Sequence, residues 1–159
     1  MNELANPLEL CGFEFIEFVA KDKELDEIFQ TIGFSKVAKH KSKNVYLWRQ
    51  GNINIILNYQ PESAAAYFFK EHGPSACAMG FRTKDAAKAF NKAIELGAEP
   101  IYSKIGPMEL NIPAIKGIGG SPIYLVDRDI YQSDFIFFDD VASHPVGTGL
   151  KEIDHLTHN

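Results

Sequence analysis

The sequence predicts an α+β fold built from two copies of a β-α-β-β-β unit. In the first copy, a strand-like run leads into the pair Lys21-Asp22, a segment with helical spacing of apolar residues, and a glycine. The same order recurs 63 positions later at Lys84-Asp85. Each copy then continues with further segments rich in β-forming residues. We therefore expect one domain spanning 1–148, with its two repeats at about 12–60 and 74–139.

The first copy begins with a predicted strand over 12–19, apolar at 13, 15, 16 and 18. In the helix that follows, Asp22 is expected to be the N-cap and Gly33 to end the last turn. Apolar residues at 25, 28, 29 and 32 indicate its buried face. Further strands are predicted over 34–38, 44–50 and 53–59, with the tight-turn pair Gly51-Asn52 between the last two.

A short helix over 63–71 is predicted to link the copies. The second copy repeats the order with a strand over 75–82 and a helix that Asp85 caps and Gly97 ends. Its remaining strands are predicted at 100–102, 121–127 and 134–138. The segment 106–120 contains two prolines and four glycines, which favours a loop. The glycines at 117, 119 and 120 lack the strand-then-helix setting of a nucleotide-binding fingerprint.

A third copy is predicted to begin at the end of the chain, because 149–159 is similar to the run that opens the first copy. The preceding segment, 139–149, contains Pro145 and two glycines and is typical of an interdomain linker. We therefore expect 149–159 to be the start of a truncated C-terminal catalytic domain. This expectation makes the chain a piece of a longer protein.

Charge and composition exclude several classes of partner. The net charge of −5 and the pI of about 5.5 argue against nucleic acid and against an anionic membrane surface. No apolar run approaches the roughly 18 residues of a membrane span, and the N-terminus has no signal-peptide pattern. Cys11 and Cys77 form no C-x-x-C pair, so we expect reduced, packed thiols. A cytoplasmic protein is expected.

The repeat also indicates where a metal ion would be bound. A facial triad needs imidazole or carboxylate groups that converge on one side of a sheet. Aligning the strand starts places Phe15 and Ala78 where His155 lies in the third copy, and Phe137 at a third-ligand position. These side chains cannot bind a metal ion, so we expect no metal in residues 1–148.

Other ionisable residues near these strands are given smaller roles. His155 and His158, three apart on a predicted strand, should face opposite ways and cannot share an ion. Glu14 and Glu17 are expected to face opposite ways too, as exposed or edge carboxylates. The chain is predicted to contain no catalytic and no cofactor-binding residue.

Paired β-α-β-β-β units resemble the vicinal oxygen chelate superfamily of glyoxalases, bleomycin-resistance proteins and extradiol dioxygenases. Local matches extend over essentially the whole chain and occur in order. Together they are similar to the bacterial 4-hydroxyphenylpyruvate dioxygenase family. The matching segments are GFEFIEF at 12–18, HKSKNV at 40–45, EHGPS at 71–75, GPMEL at 106–110, PAIKGIGG at 113–120, HPVG at 144–147 and IDHLTHN at 153–159.

This resemblance implies a specific activity for the whole protein. Members convert 4-hydroxyphenylpyruvate and O2 to homogentisate and CO2 in tyrosine catabolism, with iron(II) held by two histidines and a glutamate in the C-terminal double unit. The N-terminal double unit is a metal-free scaffold, so the chain alone should be inactive. The family pattern Ile-Asp-His-Leu identifies His155 as an iron ligand. We also expect the missing C-terminal domain as a partner of this chain, and a homo-oligomer.

Two alternatives remain open. A stand-alone module of the bleomycin-resistance type would bind a small apolar ligand between the two units. Hydroxymandelate synthase shares the fold, the iron site and the substrate but hydroxylates a different position. The residues that separate it from the dioxygenase would lie beyond Asn159.

Overall fold

The computed structural model describes residues 5–102 and 110–157, and within them nine strands form one mixed sheet. The first unit consists of β1 (Leu10–Val19), α1 (Glu24–Thr31), β2 (Ser35–His40), β3 (Val45–Gln50) and β4 (Ile53–Asn58). Helix α2 (Ala64–His72) leads to the second unit, β5 (Ser75–Thr83), α3 (Ala86–Glu95), β6 (Pro100–Ile101), β7 (Ala114–Lys116) and β8 (Pro122–Val126). Helix α4 (Tyr131–Asp134) and β9 (Phe135–Phe137) follow.

The strand order confirms the predicted repeat. The strands lie in the order β6-β7-β8-β5-β1-β4-β3-β2-β9. Within each unit the first strand pairs in parallel with the fourth, β1 with β4 and β5 with β8. The two first strands meet antiparallel at the centre. The units are therefore two halves of one sheet, related by a local twofold axis.

Two strand assignments in the second unit were wrong. Residues 114–116, predicted to be loop, form β7, which pairs with both β6 and β8. Pairing on both sides outweighs the proline and glycine content around this strand, and residues 106–109 of the predicted loop lie outside the described part. The strand expected at 134–138 is β9, and it pairs with β2 of the first unit, Ala38 opposite Phe137. The fourth strand of the second unit is therefore β8.

Local hydrogen bonds account for the helix boundaries. Asp85 caps α3 as predicted, because its Oδ1 accepts from the Lys88 amide at 2.9 Å. Gly33 and Gly97 follow the helices with φ of +96° and +97°, a conformation that glycine adopts without strain. In α1 the N-cap is Lys23 and not Asp22. Asp22 Oδ1 instead accepts a hydrogen bond from the backbone amide of Glu24 at 3.2 Å, as in an Asx turn. The helix therefore begins one residue later than expected.

Both faces of the sheet carry buried apolar side chains. On the helix-bearing face, Phe29 of α1 packs with Trp48 and Leu57, whereas Leu125 packs under α3. The periodicity of α1 predicted Ile28 and Ile32 to be buried, but 48% and 42% of their surface is exposed. The buried residue of this helix beside Phe29 is Asp26, which is paired with Lys36 and Tyr59. An ion pair and a hydrogen bond therefore replace part of the expected apolar contact.

Neither cysteine forms a disulfide. Cys77 is buried, but Cys11 is exposed, so the prediction of two packed thiols holds for one of them. In the part of the chain that the structure describes, every helix is too short or too polar to cross a bilayer.

Candidate functional site

The face of the sheet opposite α1, here called the inner face, is apolar in its middle and polar at one end. Ile130, Tyr131 and Phe135, from the α4 region and the edge strand β9, pack into its apolar part. Residue parity along the strands and the packing partners define its members, which are Phe15, Leu47, Arg49, Asn54, Ile56, Gly80, Arg82, Tyr124 and Val126.

Phe15 lies at the centre of the inner face. It is 2% exposed, pairs with Gly80 across β1 and β5, and its ring centroid is 5.8 Å from that of Tyr124. Ala78, the other position that the repeat aligns with His155, is also buried. The alignment of Phe137 with a third ligand was wrong, because Phe137 belongs to β9 and the equivalent strand is β8.

A β-bulge directs Glu14 onto the inner face. Phe13 pairs with Phe81 and Phe15 with Gly80, so Glu14 is an extra residue in β1. Because the inserted residue breaks the alternation of side chains along β1, Glu14 lies on the same face as Phe15.

The bulge overturns the expectation that Glu14 and Glu17 face opposite ways at an edge. Glu14 accepts from the Asn54 amide at 3.3 Å and Glu17 from the Asn58 amide at 2.7 Å. These asparagines lie four apart on β4 and so point to one face. Strand β1 is also central in the sheet.

Glu14 joins a chain of polar contacts across three strands. The Arg82 Nε donates to Glu14 Oε2 at 2.6 Å, and the Asn54 amide donates to the Glu14 carbonyl at 2.9 Å. The Asn54 side-chain oxygen in turn accepts from Arg49 Nε at 2.8 Å. The Tyr131 hydroxyl donates to the Glu14 carbonyl at 3.4 Å. These contacts fix the side chains of Arg49, Asn54 and Arg82 relative to one another.

Arg49 is 4% exposed and is enclosed by aromatic rings. Its guanidinium carbon lies 4.6 Å from the centre of the Tyr131 ring and 5.3 Å from that of Phe137. Its Nη1 donates to the Ser143 carbonyl at 3.2 Å and contacts His144 Nε2 at 3.3 Å. Burial lowers the pKa of Arg49, and the nearby Tyr131, Asp129 and Glu14 act in the opposite direction.

This polar end of the inner face borders a cavity of about 450 Å³. Its walls include three arginines and three carboxylates, which sequence reasoning did not bring together. One sequence signal was available, because Arg49 is a charged residue within the β-forming run 45–50. The lining residues are Glu14, Arg49, Asn52, Asn54, Arg82, Thr83, Val126, Asp127, Arg128, Asp129, Tyr131 and His144.

The predicted metal ligand His155 lies outside the sheet. Its side chain is 73% exposed, and its Nδ1 is 2.6 Å from Asp154 Oδ2. Residues 151–157 were expected to be a strand but have no regular structure, because no neighbouring strand pairs with them in the described part of the chain. Strand alternation therefore does not set the direction of the His155 side chain here. His158 lies outside the described residues.

The described residues place no three histidine, cysteine, aspartate or glutamate side chains close enough to hold a metal ion. The Asp154–His155 contact nevertheless fits one ligand of such a site. Metal-binding histidines commonly donate one ring N–H to a carboxylate, which leaves the other nitrogen for the metal. Here the Asp154 carboxylate would hold Nδ1–H and leave Nε2 for the metal.

The segment before His155, predicted to be a linker, is fastened to the hairpin between β3 and β4. Gln50, which is 0% exposed, accepts through Oε1 from the amides of Thr148 at 2.8 Å and of Gly149 and Leu150 at 3.0 Å. Its Nε2 donates to the Ile32 carbonyl at 3.0 Å. One buried amide therefore fixes the chain about five residues before His155.

Comparison with known proteins identifies relatives along nearly the whole chain. Residues 4–141 match the family described as Hydroxyphenylpyruvate dioxygenase, HPPD, N-terminal. A 4-hydroxyphenylpyruvate dioxygenase of Pseudomonas sp. (strain P.J. 874) is 59% identical over 97% of this chain and 45% of its own length. A Vibrio vulnificus (strain CMCP6) protein named Hemolysin VllY is 51% identical over 100% of this chain and 47% of its own length. The chain thus spans about half the length of these two relatives.

Solved structures include a closely similar fold. A xylose isomerase-like TIM barrel/4-hydroxyphenylpyruvate dioxygenase fusion protein superimposes with a TM-score of 0.81 and 37% identity, over 95% of this chain and 25% of its own. The name of that protein describes a fusion of a TIM barrel with a 4-hydroxyphenylpyruvate dioxygenase, and the part similar to this chain makes up a quarter of its length.

Proposed function

The chain belongs to the family of hydroxyphenylpyruvate dioxygenase N-terminal domains, and on this premise we propose that it is the first half of an iron(II)-dependent 4-hydroxyphenylpyruvate dioxygenase. The complete protein would convert 4-hydroxyphenylpyruvate and O2 to homogentisate and CO2 in tyrosine catabolism. We further infer a cytoplasmic homo-oligomer, in which a C-terminal domain begins near residue 149.

The role proposed for this domain is that of a metal-free scaffold. The observation that carries it is the filled centre of the inner face, where Phe15 packs against Gly80 and Tyr124. A metal site at this place would need nitrogen or oxygen ligands that converge on the sheet. Phenylalanine and glycine side chains offer neither, and the ring leaves no room for a ligand from position 80.

We infer that His155 provides the first iron ligand and that a second histidine and a glutamate follow beyond Asn159. When bound, iron(II) would act as a Lewis acid towards the 2-oxo acid and would supply electrons to O2. In the chain itself, Asp154 would orient the His155 ring. Gln50 would hold the preceding segment, so that the chain leading to His155 leaves the first domain at a fixed point.

Product analysis tests the proposal. The purified chain and the same chain extended through its C-terminal domain are incubated with 4-hydroxyphenylpyruvate, iron(II) and ascorbate, and products are separated by chromatography. We expect homogentisate from the extended protein only. Turnover by the chain alone would contradict the scaffold role. Formation of 4-hydroxymandelate in place of homogentisate would identify a hydroxymandelate synthase instead.

A further inference from the structure

Each carboxylate that lines the 450 Å³ cavity already has partners. Glu14 is bonded to Arg82 at 2.6 Å. Asp127 accepts from Arg128 Nε at 2.8 Å and from the Ala86 amide at 2.9 Å. Asp129 accepts from the first amides of the α4 region, those of Tyr131 at 2.8 Å and Gln132 at 3.2 Å. Asp129 is thus bonded to backbone amides alone, and its charge and that of Glu14 act on Arg49 without a direct contact.

Arg49 lines the same cavity and forms hydrogen bonds there but no ion pair with a described residue. Within the described residues, no carboxylate lies at ion-pair distance from its guanidinium group. Nε and Nη1 are occupied by Asn54, Ser143 and His144. The Nη2 group has no hydrogen-bond partner in the described part of the chain, and it is not among the fully enclosed polar atoms there, so a ligand can reach it.

A largely buried guanidinium group without a directly bonded carboxylate is costly, and an anion that binds it removes part of that cost. The rings of Tyr131 and Phe137 flank Arg49, so its remaining donors lie at the edge of the planar group. Carboxylates are recognised by this edge.

We propose that the Arg49 end of the inner face is a binding site for a small hydroxylated carboxylate. Arg49 holds the carboxylate, and the ligand's hydroxyl groups bond to the side-chain amide of Asn52 and donate to the Thr83 hydroxyl, whose own proton goes to the Leu8 carbonyl. The volume of the cavity lies within the range of small-molecule sites, about 300–1,000 Å³. The polar wall of the cavity favours a hydroxylated ligand over an apolar one.

Three probes separate the two parts of the proposal. Gluconate has a carboxylate and several hydroxyl groups, sorbitol is an uncharged polyol of the same chain length, and acetate has the carboxylate alone. Binding to the purified chain is followed by NMR, using the Arg49 Nε–H signal and the Asn54 side-chain amide. We expect saturable shifts with gluconate, affinity for acetate weaker by about tenfold, and no binding of sorbitol.

Substitutions then test the role of Arg49. Arg49→Gln removes the charge and should weaken gluconate binding by at least about tenfold. Lys92→Gln, on the exposed side of α3, is the matched control and should leave the affinity unchanged.

Gluconate binding that survives Arg49→Gln, shifts that appear only elsewhere in the protein, or equal binding of sorbitol would each overturn the proposal. No gluconate binding up to about 50 mM would do the same. If Arg49→Gln does not fold, the comparison of gluconate with sorbitol on the unmodified chain still decides, since only a charge-dependent site separates the two.

Discussion

The ring of Phe15 occupies the space that a side chain at position 80 would need. A Cβ built on Gly80 would lie 2.5 Å from Phe15 Cε1 and 2.8 Å from Cδ1, closer than carbon atoms approach in proteins. Gly80 has no unusual φ that would explain a glycine there. The residue pair is therefore complementary in size, with a large aromatic side chain placed opposite a residue that has no side chain.

Gly80→Ala should lower the free energy of unfolding by about 1–3 kcal/mol, the usual effect of overpacking a core. The same substitution in a Phe15→Leu background should cost much less, because the clashing ring atoms are gone. Denaturant midpoints of the four proteins give the coupling energy. Equal costs of Gly80→Ala in both backgrounds would show that the ring is not what excludes a side chain at position 80.

Phe15→Ala should lower the free energy of unfolding by about 3–5 kcal/mol, the range for a buried phenylalanine. Phe15→His should also destabilise, because the imidazole would lose hydrogen bonds to water without gaining partners. Ile136→Ala is the control, since Ile136 is 60% exposed and should change stability by about 0.5 kcal/mol or less. A Phe15→Ala protein as stable as this control would contradict the assignment of Phe15 to the core.

The repeat could be predicted because it recurs in local sequence. Ile16 pairs with Met79, and these positions are 63 apart, the same offset as between Asp22 and Asp85. The local twofold axis of the sheet therefore passes between them. The pairing of the strands was harder to predict from the sequence, because β7 is only three residues long and β9 pairs with a strand about 100 positions earlier. Such long-range partners leave no periodic signal in the sequence.

The polar site was missed for a related reason. Its side chains come from β1, β3, β4, β5 and β8, from the turn after β3 and from the segments after β8, and it forms only when the sheet is assembled. The bulge at Glu14 cannot be derived from alternation, because alternation assumes that no residue is inserted. His155 was identified by its motif alone, and its role as an iron ligand stays a prediction.

Gln50→Leu should release the segment before His155. The substitution leaves the amides of Thr148, Gly149 and Leu150 without their shared acceptor, at a cost of about 1–3 kcal/mol. Hydrogen exchange at these three amides should become faster, with little change in α3. Gln50→Glu keeps the acceptor but loses the donor to the Ile32 carbonyl, so it should lower stability while the three amides stay better protected than in Gln50→Leu. Unchanged exchange in Gln50→Leu would mean that other contacts hold the segment.

Glu17→Gln should change how stability depends on pH. Burial raises the pKa of Glu17, although the Asn58 amide and the Lys43 charge act in the opposite direction. A carboxyl whose pKa is raised on folding contributes stability that is full below the unfolded value, about 4.3, and is lost as the pH rises through the folded value. Glu17→Gln should therefore be more stable than the unmodified chain at pH 7, and the difference should vanish towards pH 4. A matching substitution at the exposed Glu71 should show no such convergence.

His155→Ala in the protein extended through its C-terminal domain should abolish iron binding, because a facial triad that loses one of three ligands holds iron(II) weakly. Asp154→Asn should weaken iron binding by about 10–100-fold, the usual effect of losing the carboxylate that orients a metal-binding histidine. The distance of 2.6 Å between His155 Nδ1 and Asp154 Oδ2 is the reason for this expectation. His158→Ala, chosen from the family motif, should keep the metal. Elemental analysis after dialysis measures the iron content of the three variants, and circular dichroism checks that each variant is folded. Iron retained by His155→Ala and lost by His158→Ala would mean that the second histidine of the motif, and not the first, is the ligand.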